Sequence, residues 1–412
     1  MTDTRPAYLV LNRWDEQFAE YHRFLDRDGC RLACVTTADG ADVLEREGVH
    51  DLAVVPDLDF DTVAPVARLM ARRAGGFAGV VGISEYDLVT AARLRAHFGT
   101  PGYDLELVNR FKDKVAMKSA VASAGLRVPR FLALTAETGV REAVATVGLP
   151  AIVKPRGGAA SDGVELVTDA GRLLDLLGGL DMPAHECEEY VDGEILHVDG
   201  IRRASAFHFV SVSAYVNTCL DFAAGTPLGS VLLDDSARRE RIVAFAAACL
   251  DALGLADGPF HLELIETPAG ELVFLEVGLR PGGGEITYVH EDLFGVDLVG
   301  EAVRATLGLP PLRSPAAAAP PFGAGWVLIP EPRPYPSEVV ARTSLVGVVP
   351  EIYHEILPDV GTVFDGGGGY THIGGRFHLR GQDEQALRRA VADIFHRYEL
   401  SSRPVNRQAA LT

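Results

Sequence analysis

The chain has 412 residues, 48% of them apolar and 23% charged, with 57 acidic against 38 basic side chains and a formal charge of −19. That length predicts about two to four domains. The acidic excess would repel a polyphosphate backbone and no basic patch offsets it, which excludes nucleic acid as a partner. The five cysteines are odd in number and include no Cys-x-x-Cys pair, as expected of free thiols in a reducing compartment. The opening stretch carries Asp3 and only a short apolar run, so it does not read as a signal peptide. The apolar run 243–250 is too short to span a bilayer. The expectation is a cytoplasmic protein without a membrane partner.

In chain order, β-rich runs at 8–12, 32–36, 52–55 and 79–83 predict buried strands, and helical patterns fall at 15–28, 41–47, 61–73 and 86–97. Alternating strands and helices predict a parallel sheet covered on both faces. A dinucleotide-binding turn is not predicted, because Asn12-Arg13-Trp14-Asp15 offers no glycine for a pyrophosphate to approach. Residues 1–108 therefore read as scaffold or as a substrate wall. Next come a helix at 111–124, a strand at 130–134 and a strand at 151–154. The Pro- and Ala-rich stretch 310–321 reads as a linker or surface traverse. Beyond it, 323–380 is strand-like and 383–398 helical. The predicted class is α/β: an N-terminal parallel α/β domain (1–108), a core (109–310) with a subdomain at about 127–188, and a C-terminal α/β segment (311–412).

Four segments carry chemistry. Lys154 ends an apolar strand and precedes Pro155-Arg156-Gly157-Gly158-Ala159-Ala160-Ser161-Asp162-Gly163, a composition suited to clamping phosphate between backbone N–H groups and a point charge. An exposed hairpin loop is the other reading. Lys114 starts a helix, where the dipole disfavours a cation, so either a ligand or plain solvent must favour it there. Cys187-Glu188-Glu189-Tyr190-Val191-Asp192-Gly193-Glu194 can present a backbone edge and a carboxylate to adenine and a second carboxylate to ribose; an acidic hairpin turn is the alternative. Last, Glu263 and Glu276 each interrupt an apolar strand of a hairpin that turns at Pro268-Ala269-Gly270. Facing carboxylates repel, and isolated in a core they are costly. A divalent cation resolves both problems, and Mg²⁺ prefers carboxylate and phosphate oxygens. Arg280, four residues on, can neutralise phosphate or a developing oxyanion. The remaining possibility is an edge hairpin with acids in solvent.

Asp113-Lys114, Ile152-Val153-Lys154-Pro155 with its glycine loop, Glu188-Glu189-Tyr190-Val191 and Leu275-Glu276-Val277-Gly278-Leu279-Arg280-Pro281-Gly282-Gly283 occur in an order and spacing that resemble the ATP-grasp superfamily. Within it the chain resembles, over nearly its whole length, the amino-acid ligases, including L-amino-acid ligases and carnosine-synthase-like enzymes. The resemblance implies that 109–310 is an ATP-grasp core. Lys114 and Lys154 would hold ATP phosphates, and the loop with Gly157, Gly158, Ser161 and Gly163 would close as a lid. Glu188, Tyr190 and the backbone at Val191 would bind adenine, and Glu194 the ribose. Glu263 and Glu276 would ligate Mg²⁺ or Mn²⁺, as two ions, and Arg280 would face the phosphoryl and carboxylate groups as the catalytic residue. Gly278 replaces an asparagine that many members use as a further metal ligand, a subgroup character. Gly282, Gly283, Gly284, His261 and His290 are candidates to meet the substrate, with a purely structural histidine as the alternative for His261. Specificity would lie in 84–87, 217–224 and 282–290.

The implied activity is ATP-dependent amide formation, of peptide or γ-glutamyl type, between an amino acid and an amine or second amino acid. It would pass through an acyl-phosphate and release ADP and phosphate. The partners would be those small molecules, and a homodimer is compatible. The alternatives are an ATP-grasp carboxylase that activates bicarbonate and a nucleotide-binding regulator without catalysis.

Overall fold

Four short apolar runs build the first sheet: β1 (Ala7–Asn12), β2 (Arg31–Thr36), β3 (Asp51–Val54) and β4 (Gly79–Val81). They pair in parallel in the order β3-β2-β1-β4. Every residue of β1 is buried, as a parallel strand covered on both faces requires. The computed structural model describes residues 3–405 except 16, 28, 159–160, 314–321 and 368–371. The helices Ala41–Glu47, Phe60–Ala74 and Leu88–Phe98 lie close to their predicted places. Among the described residues of 15–28 the predicted single helix does not form; a 3-10 turn, Gln17–Ala19, and one α-turn, Tyr21–Phe24, stand there instead. Tyr21 is fully buried and its hydroxyl donates to Asn12 Oδ1 (3.0 Å). Tertiary anchoring here overrides a weak local preference.

The helix predicted at 111–124 is two helices, Leu105–Lys112 and Lys114–Ser123. Asp113 breaks them with an extended backbone, and its carboxylate accepts from the Val115 and Ala116 amides (2.9 and 3.2 Å). The cap places Lys114 as the first helical residue.

A small antiparallel sheet follows, with strands β5 (Phe131–Ala133), β6 (Ala151–Pro155), β7 (Glu165–Val167) and β8 (His185–Glu189) in the order β5-β8-β6-β7. With helices Val140–Val147 and Ala170–Leu177 it encloses its own core around Val147, Val153, Val167 and Leu173. The remaining strands are β9 (Glu194–Arg203), β10 (Ala206–Val216), β11 (Leu228–Leu232), β12 (Gly258–Glu266), β13 (Leu272–Gly278), β14 (Gly323–Ile329), β15 (Ser337–Arg342), β16 (Ile352–Ile356), β17 (Val363–Phe364), β18 (Gly375–Gly381) and β19 (Leu400–Pro404). Eight form one antiparallel sheet, β13-β12-β9-β10-β11-β14-β18-β16, and three a minor one, β17-β15-β19. The C-terminal segment thus extends the core sheet: β14 pairs with β11 on one side and β18 on the other. Helix Glu384–Arg397 buries Leu387, Ala390, Val391 and Ile394 over this extension. Among the described residues, no helix is long and apolar enough to cross a membrane.

Candidate active site

A cleft of ≈ 310 Å³ opens between the small sheet and the β12–β13 hairpin. It gathers Lys114, Lys154, Gly157, Gly158, Ser161, Glu188, Tyr190, Val191, Glu263 and Glu276 from sequence positions more than 150 residues apart. Ile152, Leu166, Ile265 and Leu275 supply apolar walls, and Thr218 to Asp221 close one end. Gly163 is not in the lining. Its φ of +68° turns the loop back on Pro155, whose Cγ would stand 3.0 Å from a Cβ there.

The floor of the cleft is a buried ionic group that includes a residue not singled out in the sequence, Lys118. It lies one turn beyond Lys114, on the same helix face. Its Nζ donates to Glu186 Oε1 (2.6 Å) and to Glu188 Oε2, and its ammonium lies 5.1 Å from the Phe131 ring. Lys154 Nζ holds the other Glu188 oxygen (2.6 Å). Burial works to raise the Glu188 carboxyl, but Lys154 and Lys118 outweigh it and hold it below its usual range. At Glu186 burial wins over the same two lysines and the carboxyl is raised. Burial would lower Lys154, yet the surrounding carboxylates of Glu188, Glu186 and Glu276 keep it above its usual range. It stays cationic, which binding a phosphate would require.

Glu263 and Glu276 are cross-strand partners on β12 and β13. Glu276 Oε2 lies 3.2 Å from Lys114 Nζ, which also donates to the Gly158 carbonyl (3.2 Å). Glu263 Oε1 accepts from the Tyr215 hydroxyl (3.1 Å). Burial pushes the Glu276 carboxyl up, and Lys114 and Lys154 more than reverse it. Two carboxylates side by side, in a cleft with two lysines, are a donor set that suits a hard divalent cation.

Other expected site residues stand elsewhere. Glu194 lies outside the cleft lining, its carboxylate held by Arg238 (2.5 Å) and Arg388 (2.7 Å). His290 is buried and tied on both ring nitrogens, to Ser211 Oγ (2.7 Å) and the Ile286 carbonyl (2.5 Å). His261 and His197 flank Asp199 through Nδ1 contacts of 2.7 and 2.5 Å. Burial opposes charge on His261, but Asp199 and Glu263 raise it to about 9. Its Nε2 lies 3.4 Å from Glu263 Oε1, so both ring nitrogens face carboxylates. These hydrogen-bonded contacts satisfy Asp199 without a metal. Gly282 packs so tightly on this pair that a Cβ would come within 2.4 Å of Asp199 Oδ1. Gly283 is exposed, and Gly284 has a φ of +62° beside Trp326.

The segment 84–87 of the first domain reaches the hairpin end. Asp87 there is fully buried and paired with Arg13 (2.8 Å), while its second oxygen has no partner among the described residues. Burial outweighs Arg13 and raises its carboxyl to about 6. A raised folded pKa contributes stability that is fully present below the unfolded value and lost as pH rises through about 6. Asp87→Asn keeps the Arg13 contact without the charge. The variant should gain on wild type by up to about 3 kcal/mol between pH 4 and 6.5 in urea titrations. A difference that does not change with pH would show that Asp87 is solvated.

The fold is the ATP-grasp fold: a small antiparallel sheet over a larger antiparallel sheet, with the lysines and carboxylates of the cleft between them. Over 97% of its length the chain superposes on 99% of an L-amino acid ligase from Bacillus licheniformis, with a TM-score of 0.76 at 18% identity. Its sequence is 27% identical over 282 residues to the L-arginine-specific L-amino acid ligase of Bacillus subtilis, covering 66% of this chain and 67% of that one. It is 32% identical over 244 residues to an uncharacterized protein of Sinorhizobium fredii, covering 56% of this chain and 49% of the relative. The chain thus spans about half the length of one curated relative and two thirds of the other. No family model matches it.

Proposed function

We propose that this chain is an ATP-dependent carboxylate–amine ligase that joins an amino acid to an amine or a second amino acid. The observation that carries the reading is the Glu263–Glu276 register pair beside Lys114 and Lys154; Arg280 follows the strand end at Gly278 and is outside the cleft lining. The likeness to a ligase named for L-arginine supports an amino-acid substrate.

In this reading adenine lies between the apolar walls, against the strand end at Tyr190 and Val191, and the two lysines neutralise the phosphates. Glu263 and Glu276 would hold Mg²⁺ or Mn²⁺, as two ions, and the metal would supply the positive charge that lets two anions meet. A substrate carboxylate oxygen attacks the γ-phosphorus, the bond to the β-bridging oxygen breaks, and ADP leaves. Arg280 would neutralise the charge that builds on the transferring group. The amine nitrogen then attacks the acyl carbon, gives up a proton, and phosphate departs. The small sheet acts as a lid that keeps water from the acyl-phosphate.

The test is nucleotide product analysis over pairs of amino acids with Mg²⁺. ADP and phosphate should appear only when amino acids are present, and chelation should abolish their release. AMP and pyrophosphate would overturn the acyl-phosphate reading. ADP release driven by bicarbonate alone would replace it with a carboxylase.

A further inference from the structure

Glu85 belongs to the first domain, between β4 and helix Leu88–Phe98, yet it is nearly buried against the core. Lys112 Nζ donates to both its main-chain carbonyl (2.7 Å) and its Oε1 (3.1 Å). That double contact fixes the residue's backbone and one carboxylate oxygen. The other oxygen, Oε2, lies 3.5 Å from Arg280 Nε. Arg280 Nη1 donates to the Pro281 carbonyl (2.9 Å), and its other terminal nitrogen has no hydrogen-bond partner among the described residues.

Gly278 makes room for this arrangement. A Cβ on it would stand 3.3 Å from Arg280 Cγ, 3.5 Å from Arg280 Nε and 3.6 Å from Glu85 Oε2. Any longer side chain at 278 would enter the space where the arginine and the glutamate meet. The absent side chain and the imported carboxylate are thus features of one place.

We propose that Glu85 is the positioning residue for Arg280, resting on the reading above that Arg280 meets the transferring phosphoryl group. A guanidinium on a long side chain spends its rotamer freedom when it engages a ligand, and one already held at Nε has less to lose. Glu85 holds that end and leaves a terminal nitrogen for the ligand. Lys112 keeps Glu85 from swinging away. The rival account is that Glu85 and Lys112 merely tie the first domain to the core.

A double-mutant cycle separates the two accounts. Calorimetry with Mg²⁺ gives the affinities of ADP and of AMP-PNP, and their ratio reports the grip on the γ-phosphoryl group. Glu85→Gln should cut that ratio by about tenfold and leave ADP affinity unchanged. Arg280→Lys should cut it at least as far. In the Arg280→Lys background, Glu85→Gln should do nothing more, because its effect runs through the arginine. Should Glu85→Gln fail to fold, Glu85→Asp, which keeps the charge for Lys112, enters the same cycle. A lower melting temperature with an unchanged ratio would overturn the proposal in favour of the tether. Losses that multiply in the double variant would overturn it too, as would a wild-type ratio near one. The binding readout needs no substrate pair, so a chain that failed to ligate amino acids would refute the proposed function without deciding this cycle.

Discussion

Glu276→Gln is expected to lower turnover roughly a thousandfold, about 4 kcal/mol of transition-state stabilisation, while the protein stays folded. The carboxylate sits opposite Glu263 on the neighbouring strand and beside Lys114. Its charge survives burial because Lys114 and Lys154 outweigh the desolvation. Glutamine keeps the volume and can still accept from Lys114, so the strand pairing should hold. The change also relieves repulsion from Glu263, which offsets part of the lost attraction to Lys114. What it cannot replace is an anionic oxygen for a hard cation. Single-turnover ADP formation at saturating Mg²⁺, with a melting curve beside it, checks both halves. Near wild-type turnover with unchanged Mg²⁺ dependence would refute the metal-ligand assignment.

The parts of the site that were legible in the sequence are those whose signal is local. Glu263 and Glu276 stand out because each breaks an apolar strand and the turn between them fixes their register, and the fold pairs them directly. Lys154 stands out because a strand ends there and a glycine loop begins. Lys118 carries no such mark: four residues after Lys114 it reads as one more helix lysine. Its burial depends on Glu186 and Glu188, 68 and 70 residues further on. Glu194 shows the converse. Its place after an Asp-Gly turn suggests a ribose ligand, but Arg238 and Arg388, from two distant helices, take its carboxylate. The fold follows the same rule. Strand signals after residue 322 are plain, whereas the pairing of β14 with β11 is a long-range choice that periodicity does not encode. The stretch 15–28 carries a helical pattern, but the burial of Tyr21 and Phe24 draws it into turns.

Lys118→Met should cost roughly 3–5 kcal/mol of stability, the range for removing one partner of a buried ion pair. Lys118 and Glu186 are fully buried and Glu188 nearly so. Without Lys118, Glu186 keeps only Lys154, at 3.9 Å, and one of its oxygens already lacks a partner among the described residues. Lys154 would then have to serve two buried carboxylates and would bind phosphate less well, so ATP affinity should fall alongside stability. The pair also joins helix Lys114–Ser123 to β8 of the small sheet, so the loss should loosen that sheet first. Adding Glu186→Leu to Lys118→Met should recover most of the stability, because Glu188 keeps Lys154 (2.6 Å) and no carboxylate is left orphaned. The pH dependence carries a definite sign. Burial already raises the Glu186 carboxyl, and removing Lys118 raises it further. A group with a raised folded pKa is stabilising below its unfolded pKa and loses that contribution as pH rises through the folded one. The single variant should therefore be closest to wild type in acid and furthest from it at pH 8. Urea titrations at pH 5 and pH 8 of wild type, single and double variants measure this. A cost under about 1 kcal/mol, or one that does not vary with pH, would mean that water reaches the pair.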